Sequence, residues 1–191
     1  MYVQLKRNKN GYTLPEVLMI IVIVSLMTGS LFIGISKGRG ERALQMSANQ
    51  LIQDLRVIQN RALAPLSPAR KNELCGQNQP PEEELQKVIF GAYFETNSEE
   101  YILFVDCNED KTYTPDRDKT VNPIGLEKGV KILELSTGGV LSIVFVSPDP
   151  RVYINGELAS DNTEIKISLT NNPTKTKTIK IHKSGLIEIV N

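Results

Sequence analysis

The chain has 191 residues, with 22 basic and 22 acidic side chains, one histidine and two cysteines. Zero net charge excludes the strongly basic surface of a nonspecific nucleic-acid binder. One histidine and no Cys-x-x-Cys pair leave no zinc site, and neither a nucleophile elbow, a glycine-rich phosphate loop nor an internal repeat occurs.

Residues 1–11 carry Lys6, Arg7 and Lys9 and no acid, a positive flank of the kind retained in the cytoplasm. From Tyr12 to Ile35, 24 residues, Glu16 is the only charge. At about 1.5 Å per residue this run makes roughly 36 Å of helix, enough to cross a hydrocarbon core of about 30 Å. A transmembrane helix is therefore expected over 12–35. A carboxylate at the centre of such a span costs about 2.5–3.5 kcal/mol, less near its edge, so Glu16 needs a partner. Pro15 would cost about 3 kcal/mol in mid-helix but misses no hydrogen bond in a first turn. A secretory signal peptide has a shorter apolar region and a small-x-small cleavage site. Here the run ends in Ser36-Lys37-Gly38-Arg39-Gly40 with no Ala-x-Ala. A plain anchor fits the length and leaves Glu16 and Gly11 without a role.

The order basic leader, Gly11, Tyr12, Thr13-Leu14, Pro15, Glu16, apolar run resembles the prepilin cleavage and methylation motif. That motif belongs to type IV pilins and type II secretion pseudopilins; an aliphatic residue is commoner where Pro15 stands. The resemblance implies cutting between Gly11 and Tyr12 by a prepilin peptidase, with N-methylation of Tyr12. It also implies that Glu16 pairs with the N-terminal amine of a neighbouring subunit during filament assembly. The implied partners are the peptidase, other pilin or pseudopilin subunits and an inner-membrane assembly platform. The implied location is the inner (cytoplasmic) membrane, single-pass, with the head on the periplasmic or extracellular side, and then the filament. The expected function is that of a structural minor pilin or pseudopilin, not an enzyme, with no required cofactor.

Gly29, Gly34, Gly38 and Gly40 follow at the end of the span. Each weakens a helix by about 1 kcal/mol, which favours a bend or partial unwinding, and each equally permits close packing of neighbouring helices. Over 36–64 an amphipathic stem helix is expected. Leu44, Ala48, Leu51, Leu55, Ile58 and Ala62 form one stripe, with Arg42, Gln45, Gln53, Arg56 and Gln59 off it. Pro65 ends it. Residues 65–85, with four prolines and Glu82-Glu83-Glu84, read as a surface loop opening a β-rich head over 65–191.

Strands are expected at Val88–Phe94, Tyr101–Val105, Val130–Leu135, Val140–Val146, Ile165–Leu169, Thr178–Ile181 and Leu186–Val190. Lys183-Ser184-Gly185-Leu186 reads as a hairpin turn between the last two. With no helical crossovers the sheet should be mainly antiparallel, giving an α+β fold: a long N-terminal helical spine packed on a β head. Helix-then-strands order, the run Leu51, Leu55, Arg56, Arg61, Ala62 and the glycine of the last turn are similar to the GspH/FimT-type pseudopilins and minor pilins.

Cys75 and Cys107 lie beyond the expected span. If the leader is cytoplasmic they face an oxidising side, where a disulfide closing about 32 residues would contribute about 3–4 kcal/mol; two separate buried thiols are the alternative. Asp106, Asn108 and Asp110 alternate in a tight stretch followed by Asp116 and Asp118. The pattern fits oxygen ligation of calcium, except that Lys111 and Arg117 replace the expected Gly and Glu. Asp/Asn-rich sequence also makes plain turns between strands, and an acidic hairpin loop is the favoured reading. Lys175, Lys177, Lys180 and Lys183 beside His182 form a local basic strip. It suits DNA contact, the alternative function of an uptake or competence pilus, or an ordinary solvated edge strand with an outward histidine.

Overall fold

The structure is a computed structural model; residues 11–63, 73–76, 89–146 and 151–190 are described, the side chains of 30–37 and 122 excepted. By backbone contacts the chain forms two compact units, Met1–Arg39 and Gly40–Asn191. One helix, α1 (Leu14–Leu63), is continuous through the glycine-bearing stretch, so those glycines do not unwind it. Gly29 and Gly38 have open space where a Cβ would be, whereas Gly40 lies against Leu169, and a Cβ there would stand 2.9 Å from that side chain.

Within 40–191 the strands are β1 (Ile89–Glu95), β2 (Glu100–Asp106), β3 (Lys119–Gly125), β4 (Val130–Leu135), β5 (Val140–Val146), β6 (Arg151–Ile154), β7 (Glu157–Leu158), β8 (Thr163–Leu169), β9 (Asn172–Ile181) and β10 (Ile187–Val190). They build a six-stranded sheet, order β3-β2-β1-β5-β6-β7, and a four-stranded sheet, order β10-β9-β8-β4. Every pairing is antiparallel. The fold is α+β, a helix packed on antiparallel sheets.

The amphipathic stripe of α1 is the core face: Leu44, Ala48, Leu51, Leu55, Ile58 and Ala62 are all buried. They pack with alternate residues of β1, β2 and β5, such as Phe90, Ala92, Phe94, Leu103 and Ile143. Ile132, Ile165, Ile167, Ile179 and Ile187 of the other sheet join the same core. The remaining alternation of the six-stranded sheet forms a second cluster of Ile89, Phe104 and Val144, covered by Tyr93, Tyr113 and Tyr153. Gly91 is needed there, because a Cβ would stand 2.4 Å from the Phe104 ring and 2.9 Å from Val144.

Polar ties fix the helix to the sheets. The Tyr101 hydroxyl donates to Asp54, Arg56 donates to the Ile187 carbonyl at 3.3 Å, and Gln59 to the Gly185 carbonyl at 2.9 Å. The last hairpin is as expected, with His182 N–H to the Leu186 carbonyl, Gly185 N–H to the His182 carbonyl, and Gly185 at φ +86°. The expected Val88 start of β1, the leader 1–10 and most of the 65–85 loop lie outside the described residues.

Candidate functional site

At the N-terminal end, Gly11, Tyr12 and Thr13 precede the helix and are exposed. The Thr13 carbonyl accepts from both Glu16 and Val17 N–H, at 3.0 and 3.2 Å. Pro15 and Glu16 fall in the first turn, where a missing N–H costs nothing and a carboxylate complements the positive end of the helix dipole. The Thr-x-x-Glu spacing of Thr13 and Glu16 is that of a capping box, a helix-start signal legible in the sequence that the cleavage motif overshadows. Among the described residues Glu16 makes no ion pair.

Every large apolar side chain from Leu14 to Met27 is 44–75% exposed, all around the helix. Among the described residues no helix is long and apolar enough to cross a membrane. The expected span to Ile35 runs past Gly29 into positions whose side chains are outside the described set.

Cys75 and Cys107 are bonded to one another, with 5.6 Å between their Cα atoms. Cys107 opens the acidic loop. Asp106, Asp110 and Asp118 bring carboxylate oxygens within 4.8 Å of one another; Asp116 is exposed in the turn outside that group. The buried carboxylates are occupied by the chain itself. Asp106 accepts from Glu109 N–H at 2.7 Å and Lys111 N–H at 2.8 Å. Asp118 accepts from Cys107 N–H at 3.0 Å and Thr114 N–H at 2.7 Å. Asn108 turns its oxygen to the Asp110 N–H and its amide to the Asp110 carboxylate. Three clustered carboxylates suit a hard cation, and these same oxygens shape the loop. Lys111, which departs from the calcium pattern in sequence, adopts the left-handed conformation that its glycine serves, φ +63°, with its ammonium 4.5 Å from the Tyr153 ring centre.

Electrostatics divide the carboxyls of this loop. Burial pushes Asp106 up to about 6, against the Lys111 N–H bond and with the Asp118 charge. Burial also acts on Asp110, but hydrogen bonds from Thr112, Asn108 and Thr114 outweigh it and hold that carboxyl below the usual range.

The lysine strip does not form one surface. In the β8–β9 register Lys177 stands opposite buried Ile167, on the core-facing side, while Lys180 stands opposite Glu164 on the other side. Lys175 pairs with Glu41, Lys180 with Glu164 at 3.4 Å and His182 with Glu188 at 2.7 Å. Carboxylates thus break up the positive potential that DNA contact requires. His182 sits just past the end of β9, half-buried by the hairpin, not outward on a strand.

No protein-family profile matches the chain, and no curated protein matches it. A solved structure described as the minor pseudopilin EpsH from the Type 2 Secretion System of Vibrio cholerae is similar at 16% identity. The likeness covers 77% of this chain and 95% of that one, with a TM-score of 0.41. A likeness of that order assigns the chain to no family.

Proposed function

We propose that this chain is a filament subunit, a minor pilin or pseudopilin made as a membrane-inserted precursor. Its leader, 1–11, is removed by a prepilin peptidase between Gly11 and Tyr12, and the new amine of Tyr12 is methylated. The helical stem is held in the inner membrane until an assembly platform passes it into a type IV pilus or type II secretion pseudopilus. There it packs among the stems of other subunits, and Glu16 pairs with a neighbour's N-terminal amine.

One observation carries this reading: α1 is apolar and exposed on every side from Leu14 to Met27, with a single carboxylate in its first turn. Apolar surface of this extent requires a cover. A bilayer and then a bundle of like stems supply it, and only the second gives Glu16 a cation. The head, with its own core and its disulfide, suits an oxidising compartment.

The test is intact mass and N-terminal sequencing after co-expression with a prepilin peptidase, alongside a Gly11-substituted control. The expected product begins at Tyr12, carries one added methyl group and is missing from the control. Uncut protein, where a known prepilin is processed, overturns the reading.

A further inference from the structure

In an α-helix the N–H of residue i bonds the carbonyl of residue i−4. The carbonyl of Gly11, the acyl side of the Gly11–Tyr12 bond, would therefore be taken by the N–H of residue 15. Residue 15 is proline, which has no N–H and whose ring clashes with that same carbonyl in helical geometry. The next bond is also diverted. Glu16 N–H, which would take the Tyr12 carbonyl in an α-helix, donates to Thr13 at 3.0 Å. The helix begins at Leu14, Gly11 to Thr13 are exposed, and a Cβ at Gly11 would meet nothing within 4 Å.

We propose that Pro15 is a positioning residue for processing: it denies the helix the Gly11 carbonyl and so keeps the Gly11–Tyr12 peptide extended and open to the peptidase. This rests on the processing reading under Proposed function. In the reaction, water adds to the Gly11 carbonyl carbon, the bond to the Tyr12 nitrogen breaks, and the leaving nitrogen takes a proton, giving a glycine carboxylate and a free amine. A carbonyl bound inside a helix is not presented for that attack. The apolar run starts at Tyr12, and in an apolar setting a backbone carbonyl left unpaired is costly, so helix growth toward Gly11 is the natural competitor. A proline four residues beyond Gly11 stops that growth at the atom concerned.

The experiment compares full-length wild type, Pro15→Ala and Pro15→Gly in detergent with a prepilin peptidase. Pro15→Ala restores the N–H on a strong helix former, and its cleavage should be about fivefold slower, the factor one net backbone hydrogen bond is worth. Pro15→Gly restores the N–H on a poor helix former and should recover most of the rate. Gly-Tyr occurs once in the chain, so glycine-carbonyl and tyrosine-amide labelling gives one NMR peak for the scissile peptide. Its carbonyl shift should move toward the helical value in Pro15→Ala alone. Equal rates for wild type and Pro15→Ala, or an unmoved carbonyl shift, overturn the proposal. Equal slowing in both variants also overturns it, because the peptidase would then be recognising the ring. Uncut wild type instead overturns the processing reading itself.

Discussion

Asp106 accepts two backbone N–H bonds, yet its 1% exposure leaves it titrating near 6. An unfolded aspartate titrates near 3.9, so between about pH 4 and pH 6 the folded chain holds the proton that the unfolded chain has lost. This contribution is complete below about pH 4 and is lost as pH rises through about 6; the difference is on the order of 3 kcal/mol. Thermal melts across that window should show the wild-type advantage over Asp106→Asn shrinking as pH rises. Below about pH 4, where the wild type keeps its full contribution, the variant should be destabilised by about 1–3 kcal/mol, since its amide turns a donor toward a backbone N–H. A wild-type advantage that grows with pH would contradict the buried-carboxyl account. The alternating Asp and Asn of this loop were legible because side chains two apart share a side. Which of Asp116 and Asp118 closes the group was not, because that depends on how the turn at Thr114 folds back. The lysine strip shows a related limit: even and odd positions of one strand face opposite ways, and a count of charges ignores this.

In the six-stranded sheet the legible strands are the three at its middle. β1, β2 and β5, at the middle of the six-stranded sheet, carry continuous apolar or alternating runs on both faces. The three strands without an expectation, β3, β6 and β7, lie toward the outside of that sheet, where burial imposes no pattern. β3 even holds Pro123, which an edge tolerates because one side of the ladder is unpaired. The other sheet has its own edge at β10, and there α1 takes the place of a further strand by reaching across with Arg56 and Gln59. Removing both side chains, Arg56→Ala with Gln59→Ala, should cost about 1–3 kcal/mol in denaturant titration, two hydrogen bonds at about 0.5–1.5 each. Amide exchange should accelerate most in β10 and the turn before it. Uniform acceleration through the head would mean that these contacts do not act locally.

At the scale of the molecule, folding and association belong to different stretches of sequence. The core among the described residues draws on positions from Leu44 to Ile187, all inside the unit Gly40–Asn191. The unburied apolar surface is concentrated from Tyr12 to Met27, inside the other unit. A fragment beginning at Gly40 should therefore be monomeric without detergent and unfold cooperatively at the midpoint of the full chain, as calorimetry and light scattering would read. The full chain without detergent should associate, because a helix apolar on all sides has no orientation that hides it from water. Glu16→Gln should leave the head's melting midpoint untouched, since the residue lies far outside that core in sequence and the core is complete without it. A fragment that fails to fold would show that the head depends on the stem for stability. A full chain monomeric in plain buffer would remove the need for a cover, and with it the physical basis for reading Leu14–Met27 as a surface meant for lipid and then for like stems.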